Sequence, residues 1–369
     1  MLEVTHIQSS DNSKSSVFPL PVDLIRTVAI ILVVTYHVVN EFTGGVPPLN
    51  STMYFVYWSD LFLPFVALGV PLFFMLSGSL LLQPSKVDEP IRVFLKKRLA
   101  RIGTAFVFWS VIYFIWDYYA NHVALTPYSI TQSLLQGGAY NQFWFIYAIM
   151  GLYLITPVLR MVVKTANRNI LRYIIILWFM GAIVPPFVQL VTGLKIDNSL
   201  LLFGGYIGYF VLGLYLMGVK VKTKILLALL AAGLALTFAG LILLEVPFNK
   251  LGVVYGNNFF FDGYSSVTVV LSSVAAFLLL SKFPRSWPGN SKPWFSRLVR
   301  FISENTLAIF FMHQIVLQVL NSGTLGIRIS VLNIPSPIEI PIATVCTLFI
   351  CLGLIAVIKK IPIGGKLIG

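Results

Sequence analysis

Ten runs of apolar residues, each long enough to cross a bilayer, follow one another along the chain, near 21–40, 60–83, 101–120, 142–160, 173–193, 200–219, 225–244, 263–281, 305–322 and 339–358. Lipid offers no hydrogen-bond partner, so a backbone that enters it must satisfy its own N–H and C=O groups. Runs of about twenty residues do so as α-helices. Composition agrees: with 57% hydrophobic and 11% charged residues among 369, no soluble core of this size could hide the apolar side chains. The expected architecture is an all-α membrane protein of about ten transmembrane helices around a central cavity. Residues 1–20 form a polar N-terminal tail, and residues 21–369 form a single membrane domain.

The net charge of +13 follows from topology rather than from nucleic-acid binding. If the N-terminus is cytoplasmic, all of the Lys and Arg residues except Lys195, Lys250 and Arg328 fall on the inner side. Both termini are then cytoplasmic and the number of spans is even. No basic run is interleaved with stacking aromatics, so no nucleic-acid partner is expected. Cys346 and Cys351 share one apolar segment and have no metal-ligand spacing; no metal is expected. The outer loops, VPFNKLGVVYGNNFFFDGY among them, are rich in aromatic, Asn and Gly residues. Such segments bind sugars by stacking, although an interfacial aromatic belt has the same composition and is slightly favoured.

The first span, from Pro21 to Phe42, is apolar enough for lipid yet carries Asp23, Arg26, His37 and Glu41. At 100° per residue these four share one helix face. Ionisable groups within a span are costly and normally face a protein interior or a watery cavity. Snorkelling accounts equally well for Asp23 and Arg26, near the helix start, but not for His37, whose imidazole suits proton transfer. Glu41, one turn on, is placed to hold that ring. After the second span, Arg98 and Arg101 lie three residues apart where the third span leaves the cytoplasm. Two guanidiniums there suit phosphate, though the positive-inside rule alone also explains them.

Several segments resemble the acyltransferase-3 family of integral membrane acyltransferases and, within it, the enterobacterial common antigen O-acetyltransferase type. They are the Asp23-x-x-Arg26 start with His37 eleven residues after the arginine, VPLFFMLSGSLLL, the Arg98-x-x-Arg101 pair, FWFIYAIMGLYLITPVL, YFVLGLYL and NTLAIFFMHQIVL. They match in order and spacing across nearly the whole chain. The resemblance implies transfer of an acyl group, usually acetyl, from cytoplasmic acetyl-CoA to a hydroxyl of a cell-envelope carbohydrate or lipid-linked sugar, in a multi-pass protein of the inner (plasma) membrane. The family's histidine and arginine map onto His37 and Arg26, and its Arg-x-x-Arg motif onto Arg98 and Arg101. The separation of Arg26 and His37 along the helix, about 16 Å, is comparable to an extended pantetheine arm. His37 is then the expected base and the three arginines the acetyl-CoA site. His313, Asp117, Trp144 and Tyr153 are further candidates for the substrate pocket, Tyr147 is a possible lining residue, and Asp117 is a second candidate partner for His37. The rival reading is a transporter or flippase for a lipid-linked precursor, in which the buried charges mark a translocation route.

Overall fold

The computed structural model describes residues 20–43, 61–192, 205–242, 261, 263–284, 287, 292–323, 326 and 336–369. Apart from Leu20, the polar tail lies outside them. The described residues form helices and turns, with no strand among them. Seven helices are long and apolar enough to cross a membrane, and two shorter apolar helices, Val267–Leu280 and Thr306–Ser322, accompany them. The expected run at 200–219 is described only from Gly205 and contributes a nine-residue helix.

Helix α1 (Val22–Thr43) is the hub of the assembly. It packs against α2 (Gly69–Leu81), α9 (Val267–Leu280), α10 (Pro293–Glu304), α11 (Thr306–Ser322) and α12 (Ser336–Ile358). Asp23 in its first turn complements the helix dipole. Ile25, Ala29, Ile30, Val34 and Val38, which follow one another at four-residue steps apart from the adjacent Ala29 and Ile30, are fully buried. With neighbours on so many sides, Asp23, Thr27 and His37 of α1 meet protein, namely Ser303, the Val299 carbonyl and the His313 ring.

Glycines permit a close approach between α2 and α7 (Ile207–Tyr215). A Cβ at Gly78 would lie 1.7 Å from the Phe210 carbonyl oxygen, and one at Gly213 would lie 1.9 Å from the Met75 carbonyl oxygen. The approach is reciprocal, so each backbone needs the other's missing side chain.

Helix α3 (Ile91–Tyr119) has 29 residues and starts ten residues before the expected third run, which carries the basic cluster inside a helix rather than a loop. Arg160, near the end of α5 (Trp144–Thr165), fixes the connection from α2 to α3. Its side chain is 2% exposed; Nε donates to the Leu81 carbonyl at 2.8 Å, Nη1 to Glu89 at 2.9 Å, and the guanidinium lies 4.4 Å above the Phe94 ring. Lys86, in the same turn, donates to the Leu80 carbonyl at 2.5 Å. Burial, with Arg98 and Arg160 nearby, pushes its pKa below the usual lysine range.

Two helices lie outside the ten expected runs. Helix α4 (Pro127–Leu135) follows α3 and starts at a capping box between Thr126 and Ser129, with Pro127 in the first turn. Helix α10 precedes α11 and buries only Val299, Ile302 and Ser303. It is tied to α1 by Thr27, which donates to the Val299 carbonyl at 3.1 Å, and by Ser303, which donates to Asp23 at 2.7 Å. Both helices are too short and too polar to register as bilayer-length runs. The remaining elements are α6 (Arg168–Thr192), α8 (Thr223–Gly240) and the short α13 (Gly364–Leu367), which packs on α3.

Candidate active site

Six helices converge on one cavity of about 210 Å³. Arg26 reaches it from α1, and Lys97, Arg98 and Arg101 from α3; Tyr153 of α5 and Ser303, Glu304 and Thr306 from α10 and α11 complete its polar lining. Arg98 Nε is buried without a hydrogen-bond partner among the described residues. Arg101 donates to a backbone oxygen of Gly369, the last residue of the sequence, at 2.9 Å. Among the described residues, no Asp or Glu side chain lies within ion-pair distance of Arg26, Arg98 or Arg101. Three guanidiniums that face one space with no Asp or Glu side chain in ion-pair distance could receive an anion rich in oxygen, such as a phosphate.

The other end of the cavity is aromatic, lined by Phe73, Phe145 and Phe310. Phe310 lies 6.1 Å, ring centre to ring centre, from His313, and His313 lies 4.9 Å from His37. Thr306, Phe310 and His313 stand at i, i+4 and i+7, so one face of α11 runs from the cationic chamber to the imidazole pair. His313 is fully buried. Its Nδ1 is 3.1 Å from the Ile309 carbonyl, which can only accept, so Nδ1 carries the proton and Nε2 the lone pair. That Nε2 has no partner among the described residues. His37 is half-buried. A substrate group that reaches the pair therefore meets an unprotonated, unpartnered nitrogen beside a second, half-buried imidazole.

A family model described as an acyltransferase domain, the acyltransferase-3 model, matches residues 21–356. The chain belongs to that family. No curated protein and no solved structure matches it. As an acyltransferase-3 protein it is a membrane acyltransferase, and its cluster of buried polar groups is a candidate site for acyl transfer rather than a route for transport.

The acyltransferase fold sorts the expected residues into three groups. Arg26, Arg98, Arg101 and Tyr153 meet in the cationic chamber, while His37 and His313 meet beyond the phenylalanines. Trp144 stands against Phe145 at 6.1 Å and contacts Tyr206 and Tyr264 instead of lining the chamber. Asp117 is not brought to His37: near the C-terminal end of α3 it accepts a hydrogen bond from Asn121 at 2.7 Å. Tyr147 also points away, with its hydroxyl donating to the Leu134 carbonyl at 2.6 Å in the adjoining α4 segment. The Glu41 side chain lies outside the described residues.

Sequence reasoning passed over Ser303 and Phe310, which line the chamber, and Glu339. Glu339, on α12, is fully buried, and neither carboxylate oxygen has a partner among the described residues. An acid in the first turn of the last span was the available signal; it reads as an interfacial residue until the packing of α12 on α1 is known.

Proposed function

We propose that this acyltransferase-3 protein is an O-acetyltransferase of the enterobacterial common antigen type, moving an acetyl group from acetyl-CoA to a hydroxyl of a cell-envelope carbohydrate or lipid-linked sugar. One observation carries the reading: three guanidiniums with no Asp or Glu side chain in ion-pair distance share a chamber whose Phe310 adjoins a pair of imidazoles. Acetyl-CoA, when bound, supplies the thioester. Arg26, Arg98 and Arg101 hold its phosphates, and Phe73, Phe145 and Phe310 shield its arm from water. His37 takes the proton of the acceptor hydroxyl, a poor nucleophile at neutral pH, as the C–S bond breaks and the C–O ester bond forms. The proton then passes to the departing thiolate. The buried unpaired Arg98 Nε is the feature that best fits an anionic donor. Cytoplasmic arginines, and hence cytoplasmic termini in an inner membrane, follow from the charge bias of the sequence.

The test uses purified full-length protein in nanodiscs with labelled acetyl-CoA and an extract of envelope glycolipids. Label is expected in the glycolipid fraction, and His37→Asn is expected to lower the rate by roughly a hundredfold or more, the usual contribution of a positioned base. Absence of transfer with every envelope fraction, or full activity in His37→Asn, overturns the proposal. Label trapped on His37 without acceptor would replace direct transfer with a covalent relay.

A further inference from the structure

Beside His37, away from the cationic chamber, four half-buried rings stand in contact: Tyr36 of α1, Trp144 at the start of α5, Tyr206 just before α7 and Tyr264 just before α9. Trp144 stacks on Tyr206 at 5.2 Å and meets Tyr264 at 5.8 Å. Tyr264 is 6.3 Å from Tyr36, and Tyr36 is 5.5 Å from His37. The wall therefore starts at the imidazole and is assembled from four separate segments. Trp144 and Phe145 divide the two regions between them, for Phe145 lines the chamber while Trp144 faces the wall.

The wall is held in place from behind. Tyr209, fully buried, donates its hydroxyl to the Tyr264 carbonyl at 2.6 Å, and Trp178 Nε1 donates to the carbonyl of Gly205, next to Tyr206, at 2.7 Å. Phe74 stacks beneath Tyr206 at 4.5 Å. Tyr206 and Tyr264, anchored in this way yet only half-buried, present a fixed surface to a ligand rather than filling a core.

We infer that Tyr36, Trp144, Tyr206 and Tyr264 form the acceptor subsite, on which a pyranose ring stacks with one hydroxyl directed at His37. Three of the four rings carry phenolic hydroxyls, the amphipathic character that suits a sugar with an apolar C–H face and polar edges. An aliphatic chain needs no such groups. Tyr264 closes the aromatic, Asn- and Gly-rich loop segment for which composition alone slightly favoured an interfacial belt over sugar binding, and its place beside Trp144 and Tyr36 argues for sugar. The inference rests on the acetyl-transfer reading above for its role, but not for its chemistry, which is that of a carbohydrate platform.

Two measurements on nanodisc protein test it, both with methyl N-acetyl-β-glucosaminide and methyl β-glucoside as probes. In the first, tryptophan emission is titrated with the glycosides and, separately, with hexan-1-ol. A saturable change with a glycoside is expected, and it is absent from Trp144→Phe. Saturation by hexanol alone overturns the subsite and makes the wall an alkyl groove. In the second, transfer of labelled acetyl to the same glycosides is followed. Tyr206→Leu and Tyr264→Leu are each expected to raise the glycoside KM roughly tenfold, equivalent to about 1.4 kcal/mol, with the effect on KM rather than kcat. Tyr264→Phe, which keeps the stacking face, guards against misfolding and is expected within about threefold of wild type. Unchanged KM in both leucine variants overturns the proposal. Saturable glycoside binding without any acetyl transfer supports the subsite while rejecting the transferase reading, so the two failures are distinct.

Discussion

Arg98 and Arg101 belong to the same motif, but their surroundings predict unequal losses. Arg98 is half-buried and its Nε is already desolvated without a partner, so a donor phosphate gains that hydrogen bond with nothing displaced. A charge-assisted hydrogen bond in such a place contributes about 2 kcal/mol, and Arg98→Gln is expected to raise the acetyl-CoA KM roughly thirtyfold. Arg101 is exposed, and its Nη2 must first release the Gly369 backbone oxygen at 2.9 Å. Solvent screening and that exchange reduce its share to below about 1 kcal/mol, so Arg101→Gln is expected to raise KM by about fivefold or less. Neither change should alter kcat, since both remove binding common to ground state and transition state. The assay measures initial rates across acetyl-CoA concentrations and repeats them with acetyl-pantetheine, which lacks the nucleotide phosphates. Wild type and both variants should converge on that truncated donor. If the arginine variants lose as much with acetyl-pantetheine as with acetyl-CoA, the chamber does not read phosphate and the reasoning fails.

Gly78→Ala places a Cβ 1.7 Å from a backbone oxygen that no rotamer change can move, so α2 and α7 must separate. A loss of about 2–3 kcal/mol is expected, read as a fall in thermal midpoint in nanodiscs. Gly103→Ala on α3, where a Cβ meets nothing within 4 Å, is the control and should be neutral or stabilising by up to about 1 kcal/mol. An equal midpoint for the two variants would refute the close-approach account. Arg160→Met strands the Leu81 carbonyl and Glu89, which is 31% exposed, and should cost about 2–3 kcal/mol. Adding Glu89→Gln should recover part of that loss; a double variant no more stable than the single one would show that the ion pair contributes little. Tyr147→Phe removes only a hydrogen bond on the exposed side of α5 and should leave donor and acceptor KM within about twofold of wild type. A larger change would place Tyr147 in the site.

The sequence by itself determined the all-helical membrane class, because bilayer-length apolar runs have no other way to satisfy their backbone. It also singled out Arg26, His37, Arg98 and Arg101, since charge within or beside an apolar helix is costly enough to stand out without coordinates. Tertiary structure alone decided which side chains share a space. Tyr153 and Trp144 lie on one helix, yet the first faces the arginines and the second faces Tyr206 and Tyr264. Asp117 had the right chemistry to support an imidazole, but its hydrogen bond goes to Asn121. His313 is 276 residues from His37, and only the packing of α11 on α1 brings their rings within 4.9 Å. Helical periodicity reports which residues share a face; the direction of that face is fixed by contacts between distant segments, which no local pattern encodes.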